Sequence, residues 1–189
     1  LIIGGKQAKK AATQEHPFGY GRSRYVYAFI VSVVLFTIGG MFSIYEGLDK
    51  LQHPHELENV WIPITVLLIG IALEGYSLRT AIKESKPFKG KSSWLQFIRK
   101  AKSPELPVVL LEDTAAELGL LFALIGVSLS AITGNPMWDA IATLAIGGLL
   151  VLVAIILGLE MASLLIGEGA SQAQNYKIKK ALEATEGIN

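Results

Sequence analysis

Four apolar runs, each bounded by charged or turn-forming residues, constrain this chain more than any other feature of it. They extend from about Tyr25 to Leu48, Trp61 to Ile82, Pro107 to Ile132 and Met137 to Gly167. An α-helix rises about 1.5 Å per residue, so each run exceeds the roughly 20 residues needed to cross a hydrocarbon core of about 30 Å. One such run also suits the interior of a large soluble protein. Four in succession, in 189 residues of mean hydropathy +0.46, specify an all-α integral membrane protein with four transmembrane helices.

The basic residues set the orientation. Sixteen of the seventeen Lys and Arg fall in the segment before the first run, the last turn of the second run with the connection after it, or the tail after the fourth. Those three segments lie on one side of a four-span zigzag. The opposite side carries only Lys50, beside Asp49, Glu56 and Glu58, and the short turn Thr133-Gly-Asn-Pro136. By the positive-inside rule both ends and the middle connection are expected to be cytoplasmic, or on the equivalent side of an organelle. Local signals agree with these limits. Pro63 and Pro107 sit in first turns, where a missing N–H is harmless, and Pro136 opens the fourth helix. Trp61 and Trp138 fall at the outer helix ends, at headgroup level. Gly39, Gly40, Gly70, Gly119, Gly126, Gly147 and Gly148 suit close helix packing.

The chain has no cysteine, which excludes disulfides, thiolate metal sites and cysteine nucleophiles. It opens on Leu1-Ile-Ile-Gly-Gly5 without a Met. Its last stretch, Gln172 to Asn189, reads as an amphipathic helix (Tyr176, Ile178, Leu182) that stops at Gly187. The expectation is an interior segment of a longer protein.

Ionisable residues inside the spans carry the chemistry. A carboxylate at mid-bilayer costs about 2.5–3.5 kcal/mol on insertion scales, so it is retained for function or for a partner. The third span holds Glu112, Asp113 and Glu117. Asp113 and Glu117 are four apart, on one helix face, and Glu112 is rotated by roughly 100° from Asp113. Two carboxylates at that spacing can share a divalent cation, which removes their mutual repulsion. The bland alternative is a pair of acids facing a cytoplasmic vestibule. Glu74, inside the second span near Gly70 and Gly75, is read either as a proton relay or as a partner of Arg79. Glu46, Asp139 and Glu160 are expected to be interfacial or capping groups. His53-Pro-His55 resembles a metal-binding loop but sits on a solvated turn. The basic middle connection, with Trp94 and Phe97, either lies against anionic lipid or simply obeys topology.

The string His16-Pro-Phe-Gly-Tyr-Gly-Arg22 resembles the H-P-[FY]-G-x-G-[KR] loop between helices two and three of the cation diffusion facilitators. The run Gly39-Gly-Met-Phe-Ser-Ile-Tyr-Glu-Gly-Leu48 is similar to the end of that family's third helix. Leu111-Glu-Asp-Thr-Ala-Ala-Glu-Leu-Gly119 is similar to its fifth, Asp139 to the acid that opens the sixth, and Leu164-Leu-Ile-Gly-Glu168 to the exit into the cytoplasmic domain. The Glu112-Asp113 pair and Tyr45-Glu-Gly47 resemble the zinc transporter 9 branch.

The resemblance implies that the four spans are helices three to six of a six-helix bundle, with most of the ferredoxin-like cytoplasmic domain absent. Residues 1–24 would hold the end of a preceding helix and a cytoplasmic loop, 25–167 the membrane domain, and 168–189 the start of the cytoplasmic domain. It further implies a homodimer exporting a divalent metal ion, zinc first, with manganese or iron as alternatives, by alternating access in exchange for protons. The expected location is a bacterial plasma membrane, or else an organellar one. No resident cofactor, enzyme activity or nucleic-acid partner is expected.

Two departures stand out. The family pairs residues of helix two with an H-x-x-x-D or D-x-x-x-D pair on helix five. Asp113 matches the second position of that pair, but Val109 occupies the first, so Glu117 or Glu112 would have to compensate. A loop site seen in some members needs an acid and two histidines; His16 matches one, and Thr13 and Tyr20 stand at the others. A donor set of oxygens alone favours harder ions such as Mn²⁺. Among other classes, an intramembrane protease lacks its residues here, since no HExxH string and no spanning histidine are present. A scaffold protein has no use for acids in the third span, and a sodium or organic-cation transporter remains the nearest competitor.

Overall fold

A computed structural model describes residues 2–54, 59–100, 105–166 and 172–184. Seven helices follow one another: α1 (Ile2–Gln7), α2 (Ser23–Gln52), α3 (Trp61–Lys89), α4 (Trp94–Lys100), α5 (Glu105–Thr133), α6 (Met137–Ile166) and α7 (Gln172–Glu183). No strand occurs among the described residues. Helices α2, α3, α5 and α6 are the four that are long and apolar enough to span a membrane.

These helices run past the apolar stretches that define them. The third helix continues from Ile82 to Lys89 and carries Pro87 in its last turn. A proline there loses one intrahelical bond, and the helix ends three residues later at Gly90, whose φ of 56° is a left-handed value that favours glycine. The first spanning helix likewise extends about one turn beyond Leu48, to Gln52. Asn135 caps α6 through its Oδ1, which accepts from Met137 N at 3.0 Å.

The packing order is not the chain order. Helix α2 lies antiparallel against α6, α6 against α5, and α5 against α3. Glycines set the closest of these seams. A methyl built on Gly47 would lie 2.7 Å from Leu144 Cγ, and one on Gly147 2.6 Å from Ile44 Cγ1. Gly40 meets Val151 in the same way, and Gly126 meets Ala142 across the α5–α6 hairpin. Only a hydrogen in place of Cβ permits this approach, which gains dispersion energy that lipid tails would otherwise supply. The outer end of the α2–α6 seam is closed by charge: Lys50 Nζ reaches Glu46 Oε1 and Asp139 Oδ2, both at 3.0 Å, and Thr143 Oγ1 at 3.2 Å.

Apolar burial concentrates in the half of the bundle nearest the basic segments. One cluster joins Ala28 and Phe36 of α2, Val108 and Ala115 of α5, and Val153, Ala154, Leu157 and Met161 of α6. A second joins Ala81 of α3, Phe97 and Ile98 of α4, and Leu110 of α5. The short α4 thus tucks its Phe97 side under the bundle, while Lys89 Nζ lies 5.1 Å above the Trp94 ring. Leu110 belongs to one cluster and Ala115 to the other, so the stretch of α5 between them is held from both sides.

Candidate cation site

That stretch is where the acids lie. Asp113 is buried, at 8% exposure, two turns in from the N-terminal end of α5. Its carboxylate is not alone: Ser77 Oγ of α3 donates to Asp113 Oδ2 at 2.9 Å. One turn further along α5, Glu117 sets both carboxylate oxygens against Gly75, within 3.7 and 3.9 Å of where a Cβ on that glycine would be. Glycine at 75 is what lets the carboxylate approach the α3 backbone. Glu117 Oε2 is buried and has no hydrogen-bond partner. A buried orphan acceptor is expensive, about 1–3 kcal/mol and more when charged, so such an oxygen calls for a ligand.

Glu74, on the same α3 face, lies within Coulombic reach of Asp113, Glu117 and Glu112. It forms no ion pair with Arg79 among the described residues, so of its two sequence readings the pairing does not form. Glu112 is half-buried beside Asp113 and shares neither the Ser77 bond nor the Gly75 contact. The α3–α5 seam therefore gathers carboxylates, none of which forms an ion pair with a Lys or Arg among the described residues. Among those residues, no three carboxylates or imidazoles come together closely enough to hold one metal ion.

The other sequence candidates fall elsewhere. His16 is exposed in a compact loop, its ring 4.6 Å from the Tyr20 ring, edge to face. Thr13 Oγ1 contacts the Tyr20 hydroxyl at 3.3 Å and accepts from His16 N at 3.2 Å. Gly19, at a φ of 76°, makes the turn that an L side chain would strain. The three positions that would hold the loop metal are thus bonded to one another. His53 Nδ1 lies 3.1 Å from Asp49 Oδ1, and His55 falls outside the described residues. Glu46 and Asp139, expected to be interfacial groups, form the Lys50 cluster.

Two features escaped sequence reasoning. Ser77 carried no signal, because which serine faces an acid depends on which helices pair. The Lys50 cluster had one: Lys50 is the sole basic residue on its side, and Glu46 stands four residues before it on the same helix face.

With four spanning helices, a buried Asp113 on the third of them followed one turn on by Glu117, and the Gly-rich loop before the first, the arrangement is that of a membrane transport domain. The chain belongs to the cation efflux transmembrane domain family, whose model matches residues 1–166. It is similar to the mitochondrial proton-coupled zinc antiporter SLC30A9 of Mus musculus, 30% identical over 191 residues covering all of this chain and 34% of that protein. The Homo sapiens counterpart is 31% identical over 97% of the chain and 33% of its own length. Metal tolerance protein C4 of Arabidopsis thaliana is 29% identical over 96% of the chain and 40% of its own length. The chain thus spans about a third of the length of the antiporters it matches.

Proposed function

We propose that this chain is the cation-carrying part of a proton-coupled divalent-metal exporter, with zinc as the first substrate. The observation that carries the reading is the buried Asp113 carboxylate, set by Ser77 and followed one turn on by a Glu117 oxygen without a partner. The zinc antiporters that the chain resembles support the choice of ion and of coupling.

In this reading Asp113 takes the ion from the side carrying the basic segments, and Glu117 shares it, with Glu112 beside them. Fewer than three such ligands meet among the described residues, so the remaining donors come from elsewhere in the full-length protein. Rocking of the bundle exposes the ion to the opposite side, where protons compete it off the carboxylates. Glu74, an acid facing those acids, carries protons on the return. The protein acts as a homodimer in an organellar or bacterial plasma membrane, both ends of this chain facing the cytoplasm or its organellar equivalent.

A second ion keeps a place for one reason: the spanning helices offer oxygen donors and no histidine, which suits Mn²⁺ or Fe²⁺. Metal flux into proteoliposomes holding the full-length protein under a pH gradient tests all of this. Zn²⁺ and Mn²⁺ are compared in the wild type and in Asp113→Ala. Zinc flux that collapses in the variant is the expected result. Wild-type flux in the variant removes Asp113 from the site, and flux of neither ion returns the sodium or organic-cation reading.

A further inference from the structure

Five threonine hydroxyls inside these helices share one habit that Ser77 does not follow. Thr65, Thr80, Thr114, Thr133 and Thr143 each donate to the carbonyl four residues back, at 2.6–3.0 Å. Back-bonding of this kind is the ordinary way a hydroxyl is satisfied where water is absent. Ser77 instead donates across the seam, to Asp113 Oδ2 at 2.9 Å. A hydrogen bond to a carboxylate is charge-assisted and roughly twice as strong as a neutral one, so it fixes the orientation of the acid.

We propose that Ser77 is a positioning residue for cation binding: by holding one side of Oδ2, it fixes the orientation of the Asp113 carboxylate and favours Oδ1 as the oxygen presented to the ion. The inference rests on the reading of Asp113 as the cation ligand. A carboxylate limited to one oxygen suits an ion of low coordination number, such as four-coordinate Zn²⁺. One free to bind through both oxygens suits larger ions with more ligands. Partners that orient ligating groups are commonly worth roughly 10- to 100-fold in metal affinity. Ser77 also belongs to α3, so the seam between α3 and α5 takes part in binding although α5 supplies the acid.

The test is zinc transport by the full-length protein in proteoliposomes, for wild type, Ser77→Thr, Ser77→Val and Asp113→Ala. Threonine keeps the hydroxyl, and valine has the same shape without it, so the pair separates the hydrogen bond from packing. The expected result is a zinc KM roughly 10- to 100-fold higher in Ser77→Val with kcat retained, a near-wild-type KM in Ser77→Thr, and a Zn²⁺-to-Mn²⁺ preference that falls in the valine variant alone. A wild-type KM and ion preference in Ser77→Val, with Asp113→Ala inactive, overturns the inference and leaves the exporter reading standing. Wild-type transport by Asp113→Ala overturns the site itself, and the role of Ser77 with it. A loss of kcat shared equally by both Ser77 variants assigns the position to packing and also overturns the inference.

Discussion

Two carboxylates one turn apart on α5 meet unlike surroundings. Asp113 has its Ser77 donor, whereas Glu117 keeps a buried oxygen without one beside Gly75. A charge so placed, near a second acid, destabilises the empty protein and awaits a cation. Glu117→Gln should therefore stabilise the metal-free full-length protein by about 1 kcal/mol, read as a rise in its thermal midpoint. The same variant should lose most of the stabilisation that added Zn²⁺ confers on the wild type. Thermal unfolding in detergent, with and without zinc, measures both. A lower midpoint without metal would show instead that the carboxylate holds the fold together. The acids themselves were legible in the sequence, because charge stands out in an apolar run. Their differing environments were not, since Ser77 and Gly75 reach them only through the pairing of α3 with α5.

At the level of whole helices, the seams are set by where side chains are missing. Gly147 and Gly148 are neighbours on α6, yet a Cβ on the first collides with Ile44 and one on the second meets nothing within 4 Å. Gly147→Val should therefore destabilise the bundle by about 1–3 kcal/mol through overpacking, while Gly148→Val should be near neutral. Denaturant or thermal unfolding of the two variants side by side checks this, and equal effects would mean that α2 does not lie on that face of α6. The charged closure of the same seam is weaker. Lys50 and Glu46 remain about a third or more exposed, so Lys50→Ala should cost under about 1 kcal/mol, and less in high salt. The spanning helices could be read from hydropathy, and the glycines announced close packing. The partners could not be read. Only eight residues separate α2 from α3, yet the main contact of α2 is α6, because in lipid no hydrophobic force obliges sequential helices to pair.

On the scale of the molecule, one asymmetry organises the rest: nearly all basic residues lie at one end of the bundle, the end where both apolar clusters and Asp113 are found. A cation approaching from that side meets acids two turns in from the N-terminal end of α5. At the other side the same journey would pass the Lys50 cluster, where one lysine offsets two carboxylates. On the exporter reading proposed above, sidedness therefore decides whether Asp113 is reached first from the compartment to be emptied. The absence of cysteine from these 189 residues makes this measurable: once any cysteine elsewhere in the full-length protein is replaced, a cysteine introduced here is the single thiol. Ser92, in the connection after α3, and Asn59, before α3, lie on opposite sides of that helix. In intact cells or organelles a membrane-impermeant maleimide should label Asn59→Cys, and should label Ser92→Cys only after the membrane is opened, which is what the positive-inside rule requires of the loop carrying Lys89 and Lys91. The reverse pattern would turn the bundle over, place Asp113 near the outer surface, and make the same geometry that of an importer.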